Sequence, residues 1–323
     1  MGYTEIKTAV ILAAGNGSRL RPFTNFIPKT MVPYRDKPLI YHHIMNCYNN
    51  GIKDIIVVTR KDEDNDYSFR FQNEYLKDLE RQLRDKDKEV RIKLIYQEED
   101  KYLKKPKGPA AALAMAEDEL RGKSYITLLG DNLIIDRHEK YESLMKNLID
   151  IYNGCPLYYF ENLDKEIAKK GGVVKGNKLN YLDKILLDTT DAIEKPNDDV
   201  IEKRFGVKDR YEVMSGGMYI FNEKSMDSIK NVKPGANNEM HLTDAINDQI
   251  KSKNSKVVGV LLKNSLYTAV DFGAINSWLS INLKEENIEE FKKAIDNYPS
   301  ELRNLIYENI RKIYNNDTTK QKN

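Results

Sequence analysis

The sequence predicts an α/β fold, a mostly parallel sheet with helices on both faces. Three observations carry this expectation: runs rich in Ile, Val and Leu recur between stretches of helical spacing, the first run leads directly into a glycine turn, and the helical stretches bear apolar stripes suited to covering a sheet.

The strands are expected at 8–14, 55–59, 92–96, 125–129, 218–221 and 257–262. After the first of them, Pro38 suits the first turn of a helix with the stripe Ile40, Ile44, Cys47 and Tyr48, and Gly51 follows as its C-terminal cap. A strongly charged helix over 69–86 buries Tyr75, Leu76, Leu79 and Leu83 and turns its charges to solvent. A third helix, rich in alanine, starts after Gly108-Pro109 and runs over 110–120. Residues 1–276 show no internal repeat or linker and read as one unit. A helical segment covers 277–314, and the polar residues 315–323 read as a frayed tail. Trp278, Leu279, Ile281, Phe291 and Ile295 lie at helical spacing, which fits packing against the main unit or an oligomer contact equally well.

Composition narrows the function classes. Of 323 residues 40% are hydrophobic and 32% charged, so a packed core is affordable and whole-chain disorder is excluded. Lys plus Arg number 52 against 50 for Asp plus Glu, and the basic residues are scattered, so there is no electrostatic footprint for nucleic acid. Cys47 and Cys155 are too few for a disulfide framework or a zinc site. His42 and His43 are adjacent, while His138 and His241 stand isolated in the sequence, so the histidines have no metal spacing. No signal-like apolar start and no run of membrane-spanning length is present, and a cytoplasmic protein is expected.

The segment Ala13-Ala14-Gly15-Asn16-Gly17-Ser18-Arg19, with Arg21 and Pro28-Lys29 beyond it, has the makings of a phosphate cradle. Glycine lets bare backbone amides approach a polyphosphate, and the cations supply charge. Two familiar loops fail against it. A P-loop needs Gly-Lys-Ser/Thr, and Gly17 is followed by Ser18-Arg19. A dinucleotide fingerprint needs a third glycine where Leu20 stands, and an acid after the second strand, which ends in Thr59-Arg60.

Ligands of open parallel sheets bind beyond the carboxyl ends of the strands. Gly130-Asp131-Asn132 places a carboxylate there, and Asp271-Phe272-Gly273 offers another. Two hard oxygen ligands beside a phosphate site suit Mg²⁺, although either aspartate alone equally suits the cap of a turn. Glu194-Lys195-Pro196 is, taken alone, an ordinary surface tripeptide. No Ser or Cys nucleophile is paired with a nearby His.

Taken in order, Gly15 to Arg19, Pro28-Lys29, Gly130-Asp131, Gly172-Val173-Val174, Glu194-Lys195-Pro196 and Asp271-Phe272-Gly273 resemble the motif series of the sugar-1-phosphate nucleotidylyltransferases, over roughly residues 7 to 285. Within that family the chain is most similar to the bacterial-type UTP–glucose-1-phosphate uridylyltransferases. The carriers are residues 27–33 and 36–40, the long charged helix before Gln97, and Pro234-Gly235-Ala236 leading to Glu239-Met240-His241-Leu242-Thr243-Asp244. Asn132 is spelled as in the thymidylyl branch, so dTTP stays open as the donor.

The resemblance implies a Rossmann-like nucleotide-diphospho-sugar transferase fold and a Mg²⁺-dependent transfer between UTP, or dTTP, and a sugar-1-phosphate, in a homodimer or homotetramer. It implies that Asp131 and Asp271 hold Mg²⁺, that Arg19 meets the β and γ phosphates, that Lys29 neutralises charge at the α-phosphate and that Lys195 grips the phosphate of the sugar. It assigns Glu194, Gly172 and Gly217 to the sugar, Gln97 and Gly108 to the base, Ala13 and Gly15 to the base and ribose, and Ala14, Gly17 and Asn132 to substrate binding. A catalytically silent subunit of the same fold is the reading from another class, since fold alone does not fix function.

Overall fold

The computed structural model describes residues 5–61, 68–97, 107–136, 143–251, 255–262, 267–284, 287–298 and 300–320. Among them the strands are β1 (Thr8–Leu12), β2 (Pro33–Tyr34), β3 (Lys37–Pro38), β4 (Asp54–Thr59), β5 (Arg91–Tyr96), β6 (Tyr125–Leu129), β7 (Asn132–Asp136), β8 (Leu157–Asp164), β9 (Gly172–Tyr181), β10 (Lys184–Glu194), β11 (Arg210–Phe221), β12 (Val258–Leu262) and β13 (Tyr267–Asp271). One large mixed sheet has the order β5-β4-β1-β6-β11-β8-β12-β10-β9, and β2–β3 and β7–β13 form separate pairs.

The half that carries the glycine loop is parallel. β1 pairs in parallel with β4 and β6, and β4 with β5, so Leu12, Val58 and Leu129 end level with one another. All five residues of β1 are buried. Because strand side chains alternate faces, they divide between two cores. Ala9 and Ile11, with Ile55 and Val57 of β4, pack on Ile40, Ile44 and Cys47 of the helix Leu39–Asn49 and on Leu76, Leu79 and Leu83 of the helix Ser68–Lys86. Val10 and Leu12, with Ile56 and Val58, pack on Ala110 and Leu113 and on Leu242, Ala245 and Ile246 of the helix Leu242–Lys251. Helices therefore cover both faces, and the apolar run of each strand is continuous for that reason.

Beyond the strands expected from sequence the structure adds β2, β3, β7, β8, β9, β10 and β13, and three anticipated elements differ in form or extent. The stretch 110–120 is two helices, Pro109–Ala114 and Glu117–Leu120, because Ala116 (φ −92°, ψ 6°) leaves helical geometry. The acidic residues 117–119 then open a new first turn, where the helix dipole favours negative charge. β11 starts at Arg210 rather than near 218, and its ladder with β8 shifts register between Met214 and Tyr219, where Gly216 and Gly217 take positive φ. The last helix, Ser300–Lys320, continues through residues expected to fray from 315, a stretch with no Gly or Pro to stop it.

The C-terminal helices form a third core over the loop that follows β1. Trp278 of the helix Ile275–Asn282 is fully buried among Phe23, Val32, Tyr34, Phe272 and Phe291. Its ring meets Phe23 edge-on at 5.1 Å and Phe291 at 5.9 Å, and its Nε1–H donates to the Pro33 carbonyl at 2.8 Å. Asn282 accepts from the Arg35 amide at 2.8 Å, fixing the turn between β2 and β3, where Arg35 has φ +54°. No helix of the described residues is long and apolar enough to cross a membrane.

Trp278→Ala removes both ring contacts and leaves the Pro33 carbonyl without its indole donor. A loss of about 3–5 kcal/mol of folding free energy is expected, read as a lower urea midpoint. A loss under about 0.5 kcal/mol, the range of surface substitutions, would show that the C-terminal helices are not part of the cooperative fold.

Candidate active site

The loop after β1 is held by the ends of its neighbours. Ala13 N–H donates to Val58 O at 2.7 Å, and Gly130 N–H donates to Leu12 O at 3.1 Å, so the ends of β4, β1 and β6 are laced together. Gly17 has φ +59°, and its carbonyl accepts from Thr24 Oγ1 at 2.8 Å before the short turn Ser18–Leu20. A Cβ on Gly15 would lie 2.6 Å from Lys29 Cε, so any side chain here would displace the end of the lysine from its place along the loop.

Lys29 Nζ is 2.7 Å from Asp131 Oδ2, with the two side chains only 17% and 13% exposed. Arg19 Nη1 is 3.0 Å from Asp271 Oδ2 in a far more open pair, 62% and 43% exposed. Both carboxylates face one point. A Cβ on Gly273 would lie 2.6 Å from Arg19 Nη2, 2.7 Å from Asp271 Oδ1 and 2.9 Å from Asp131 Oδ2. The chain brings them together through the β7–β13 pair, in which Asp271 stands opposite Asn132, and through Phe272 N–H, which donates to Asp131 O at 2.7 Å. Asp271 is also a turn cap, since its Oδ1 accepts from Gly273 N–H at 2.7 Å.

Burial works against the charge on Asp131, but the ammonium of Lys29 outweighs it and holds the carboxyl below the usual aspartate range. The Asp131 carboxyl is thus ionised at neutral pH. Among the described residues no group of three or more His, Cys, Asp or Glu is placed to hold a metal. A divalent ion would take Asp131 and Asp271 and complete its shell with water and phosphate oxygens, the usual manner of Mg²⁺, and the two hard oxygen donors fit it.

A second cluster surrounds the end of β10. Glu194 Oε2 accepts from Thr243 Oγ1 at 2.7 Å, while its Oε1 lies 3.6 Å from Lys195 Nζ and 3.8 Å from His241 Nδ1. Lys195 has φ +45°, unusual for a residue with a side chain, and its N–H donates to Gly171 O at 2.9 Å. Gly172 lies opposite Glu194, and a Cβ there would collide with Thr243 Oγ1. Gly217, at φ +60°, has Asn132 and Leu129 within 2.8 Å of where its Cβ would be.

The nucleotidyl transferase family model matches residues 8–288, most of the chain. The chain belongs to the nucleotidyl transferase family. Curated relatives include the UTP–glucose-1-phosphate uridylyltransferase YngB of Bacillus subtilis, 28% identical over 76% of this chain and 79% of that one. The UTP–glucose-1-phosphate uridylyltransferase of Streptococcus pneumoniae is 26% identical over 89% of this chain and 94% of that one. A solved UDP-glucose pyrophosphorylase complexed with UDP-glucose has the same fold, with a TM-score of 0.69 at 24% identity over 89% of this chain and 99% of that one.

Not all the residues anticipated from sequence for this nucleotidyltransferase meet. Gly15, Gly17, Arg19, Lys29, Asp131 and Asp271 are joined by the contacts above, with Asn132 Nδ2 3.3 Å from Asp131 Oδ1. Gly172, Glu194 and Lys195 form the second cluster. Gln97 follows β5, two strands from β1, and is fixed by its N–H to Thr59 O at 2.7 Å. Its side-chain amide makes no hydrogen bond among the described residues. Gly108, at φ +115°, lies against the Met240 backbone, 2.6 Å from Met240 O to the place of a Cβ.

Sequence reasoning missed several supports. Arg60 Nε donates to Ala14 O at 2.8 Å and braces the loop. Gln72 is fully buried, receives the hydroxyl of Thr30 and donates to Thr59 Oγ1 at 2.9 Å. Burial pushes the His43 ring down to about 4, so the neutral imidazole donates from Nε2 to Gly130 O at 3.3 Å and steadies the turn before Asp131. His241, isolated in the sequence, stands against Glu194 in space.

The Lys29–Asp131 pair gives a pH signature. Because the folded carboxyl titrates below its unfolded value, its stabilisation is complete above about pH 4, the ordinary aspartate range, and is lost as pH falls through the lower folded value. Urea titrations should find Asp131→Asn less stable than the parent at pH 7, with the gap closing on acidification to about pH 3. A gap that persisted undiminished there would mean that the carboxylate charge is not what the pairing contributes.

Proposed function

We propose that this enzyme transfers the uridylyl group of UTP to glucose-1-phosphate, giving UDP-glucose and pyrophosphate. The observation that carries the reading is the convergence of Asp131, Asp271 and Arg19 on Gly273, with Lys29 bound to Asp131 beside the glycine loop. Relatives named for this activity that match three quarters or more of the chain support it.

In this reading a phosphate oxygen of the sugar phosphate bonds to the α-phosphorus of UTP in line with the α–β bridging oxygen, whose bond to that phosphorus breaks as pyrophosphate leaves. No protein nucleophile is required, so rate comes from positioning and charge neutralisation. Mg²⁺ held by Asp131 and Asp271 would polarise the phosphate oxygens. Lys29, already oriented by Asp131, would stabilise charge at the α-phosphate. Arg19 would leave Asp271 for the β and γ phosphates. That exchange is cheap, since an exposed ion pair contributes about 0–1 kcal/mol.

Lys195 would hold the sugar's phosphate and Glu194 its hydroxyls, with Gly172 and Gly217 allowing close approach. The amide of Gln97 offers a donor and an acceptor, matching the O4 and N3–H edge of uracil or thymine. It does not separate the two. That distinction rests on space for one methyl group, about 1–3 kcal/mol in an apolar pocket, so dTTP is the second donor to test.

The test is a matrix of nucleoside triphosphates against sugar-1-phosphates with Mg²⁺, read as pyrophosphate release. UTP with glucose-1-phosphate should lead, and Asp131→Asn or Asp271→Asn should lower kcat by at least about 100- to 1,000-fold, the scale of removing one preorganised electrostatic contact. Preference for CTP or ATP would overturn the role of Gln97. Undiminished turnover in Asp131→Asn would overturn the mechanism, and a fully silent protein would favour a regulatory subunit.

A further inference from the structure

The helix Ser68–Lys86 has a polar residue where its buried stripe calls for an apolar one. Leu76, Leu79 and Leu83 pack into the core, and the same spacing taken one turn back falls on Gln72, which is fully buried. A primary amide in such a place costs free energy unless its hydrogen bonds are made. Gln72 makes them with two other segments of the chain. Its Oε1 accepts from the hydroxyl of Thr30, and its Nε2 donates to Thr59 Oγ1 at 2.9 Å, with Ala13 O 3.5 Å away. Thr59 Oγ1 donates in turn to Asn73 Oδ1 at 3.0 Å, and Asn73 Nδ2 donates to Arg60 O at 3.0 Å.

The direction of this chain of bonds is fixed by chemistry. Arg60 O can only accept, so the Asn73 amide turns its nitrogen to it and its oxygen to Thr59. The single hydroxyl proton of Thr59 goes to that oxygen, so Thr59 must accept from Gln72. Gln72 then presents its nitrogen to Thr59 and its oxygen to Thr30, whose proton completes the chain. All four side chains are buried, which makes each bond dependent on its neighbours rather than on water. At one end stands the residue after Lys29, in the turn Lys29–Met31. At the other is Arg60, whose side chain braces the glycine loop by donating to Ala14 O at 2.8 Å.

We propose that Gln72 is a positioning residue for Lys29: through Thr30 it fixes the turn that carries the lysine against the end of β4 and the glycine loop, and so holds the ammonium where the α-phosphate arrives. The catalytic consequence rests on the proposed uridylyl transfer, whereas the anchoring does not. Asp131 orients the far end of the lysine and Gln72 secures its root. Both are needed, because a lysine is a point charge on a flexible four-carbon stem.

The anchoring is read without substrate. Gln72→Met keeps the length of the side chain and removes donor and acceptor together. Amide hydrogen exchange of Met31 and Val32, whose N–H groups close the turn on Pro28 O and Lys29 O, should speed up by at least about 10-fold in this variant, while Ile126 and Leu128 in β6 stay within about twofold of the parent. Unchanged exchange at the turn, or equal acceleration in β6, would overturn the proposal.

Steady-state assays read the consequence. Gln72→Met should lower kcat about 10- to 100-fold, the scale of a misplaced catalytic group, with both KM values within about threefold of the parent. Thr30→Val keeps the shape of its side chain, removes the same contact from the other end and should give the same split; it carries the test should the methionine variant fold poorly. Leu79→Ala loosens the same helix but leaves the chain of bonds intact, and its kcat should match the parent. A fall in Leu79→Ala as large as in Gln72→Met would reduce Gln72 to a seat for the helix and overturn the proposal. Undiminished kcat in both Gln72→Met and Thr30→Val would overturn it as well. The exchange experiment holds whichever nucleotide and sugar phosphate the enzyme uses, so failure of the anchoring and failure of the functional reading are told apart.

Discussion

The contact between Lys29 Nζ and Asp131 Oδ2 ties the glycine loop to the strand end that carries the mostly enclosed carboxylate. It joins the turn after the glycine loop to the end of β6, and the lysine chain lies along Gly15, where a Cβ would sit 2.6 Å from Cε. The next residue, Thr30, presses on Gly130 and gives its hydroxyl to the buried Gln72. One ion pair thereby accounts for two glycines, a threonine and a buried amide. Partly buried ion pairs of this kind add little net stability, because desolvation offsets most of the attraction. What the pair supplies is orientation: a carboxylate and an ammonium fixed before any substrate arrives, which is the state electrostatic catalysis needs.

That fixed point is supported from two sides. On one, the parallel strands end level, and the backbone bonds from Ala13 to Val58, Gln97 to Thr59 and Gly130 to Leu12 extend the sheet one residue beyond each strand. On the other, the third core carries Asp271. Phe272 packs with Trp278 and meets the Tyr34 ring at 5.7 Å, so the aspartate before it and the glycine after it are set by the C-terminal helices. The helices from Ile275 onward thus help to position one of the two carboxylates.

The parallel half of the sheet was legible because its strands are buried on both faces and so are written as unbroken Ile, Val and Leu runs. β9 and the first part of β11 lack that signal. Residues 177–181 of β9 are exposed, and β11 is interrupted by two glycines at positive φ. The same logic divides the site. Arg19, Lys29, Asp131 and Asp271 stand in short motifs beside glycines, so sequence could name them, but it could not distinguish a turn cap from a ligand. Asp271 is a cap and faces the convergence point as well. Gln72 sits in a helix that reads as a solvated charge run, and His241 has no histidine or cysteine near it in sequence. Their significance lies in contacts 42 and 47 residues away, at Thr30 and Glu194, which no local pattern encodes.

The two cation–carboxylate pairs differ in one respect that orders their tasks. Lys29 and Asp131 are mostly enclosed, whereas Arg19 and Asp271 are open to water. Water and salt screen the open pair, so Arg19 can leave it at a cost of about 0–1 kcal/mol. Removing Lys29 from Asp131 would strand two poorly hydrated charges and cost several times as much. In the proposed reaction a polyphosphate entering the loop would meet one cation able to move to it and one already in position. The exposed arginine would then suit the outer phosphates, and the enclosed lysine the atom where bonds are exchanged, because a displaced charge there would lose its advantage in the transition state. In this chain the division follows from burial alone: the glycine loop encloses Lys29 because Gly15 has no side chain, and leaves Arg19 outside, beyond Gly17.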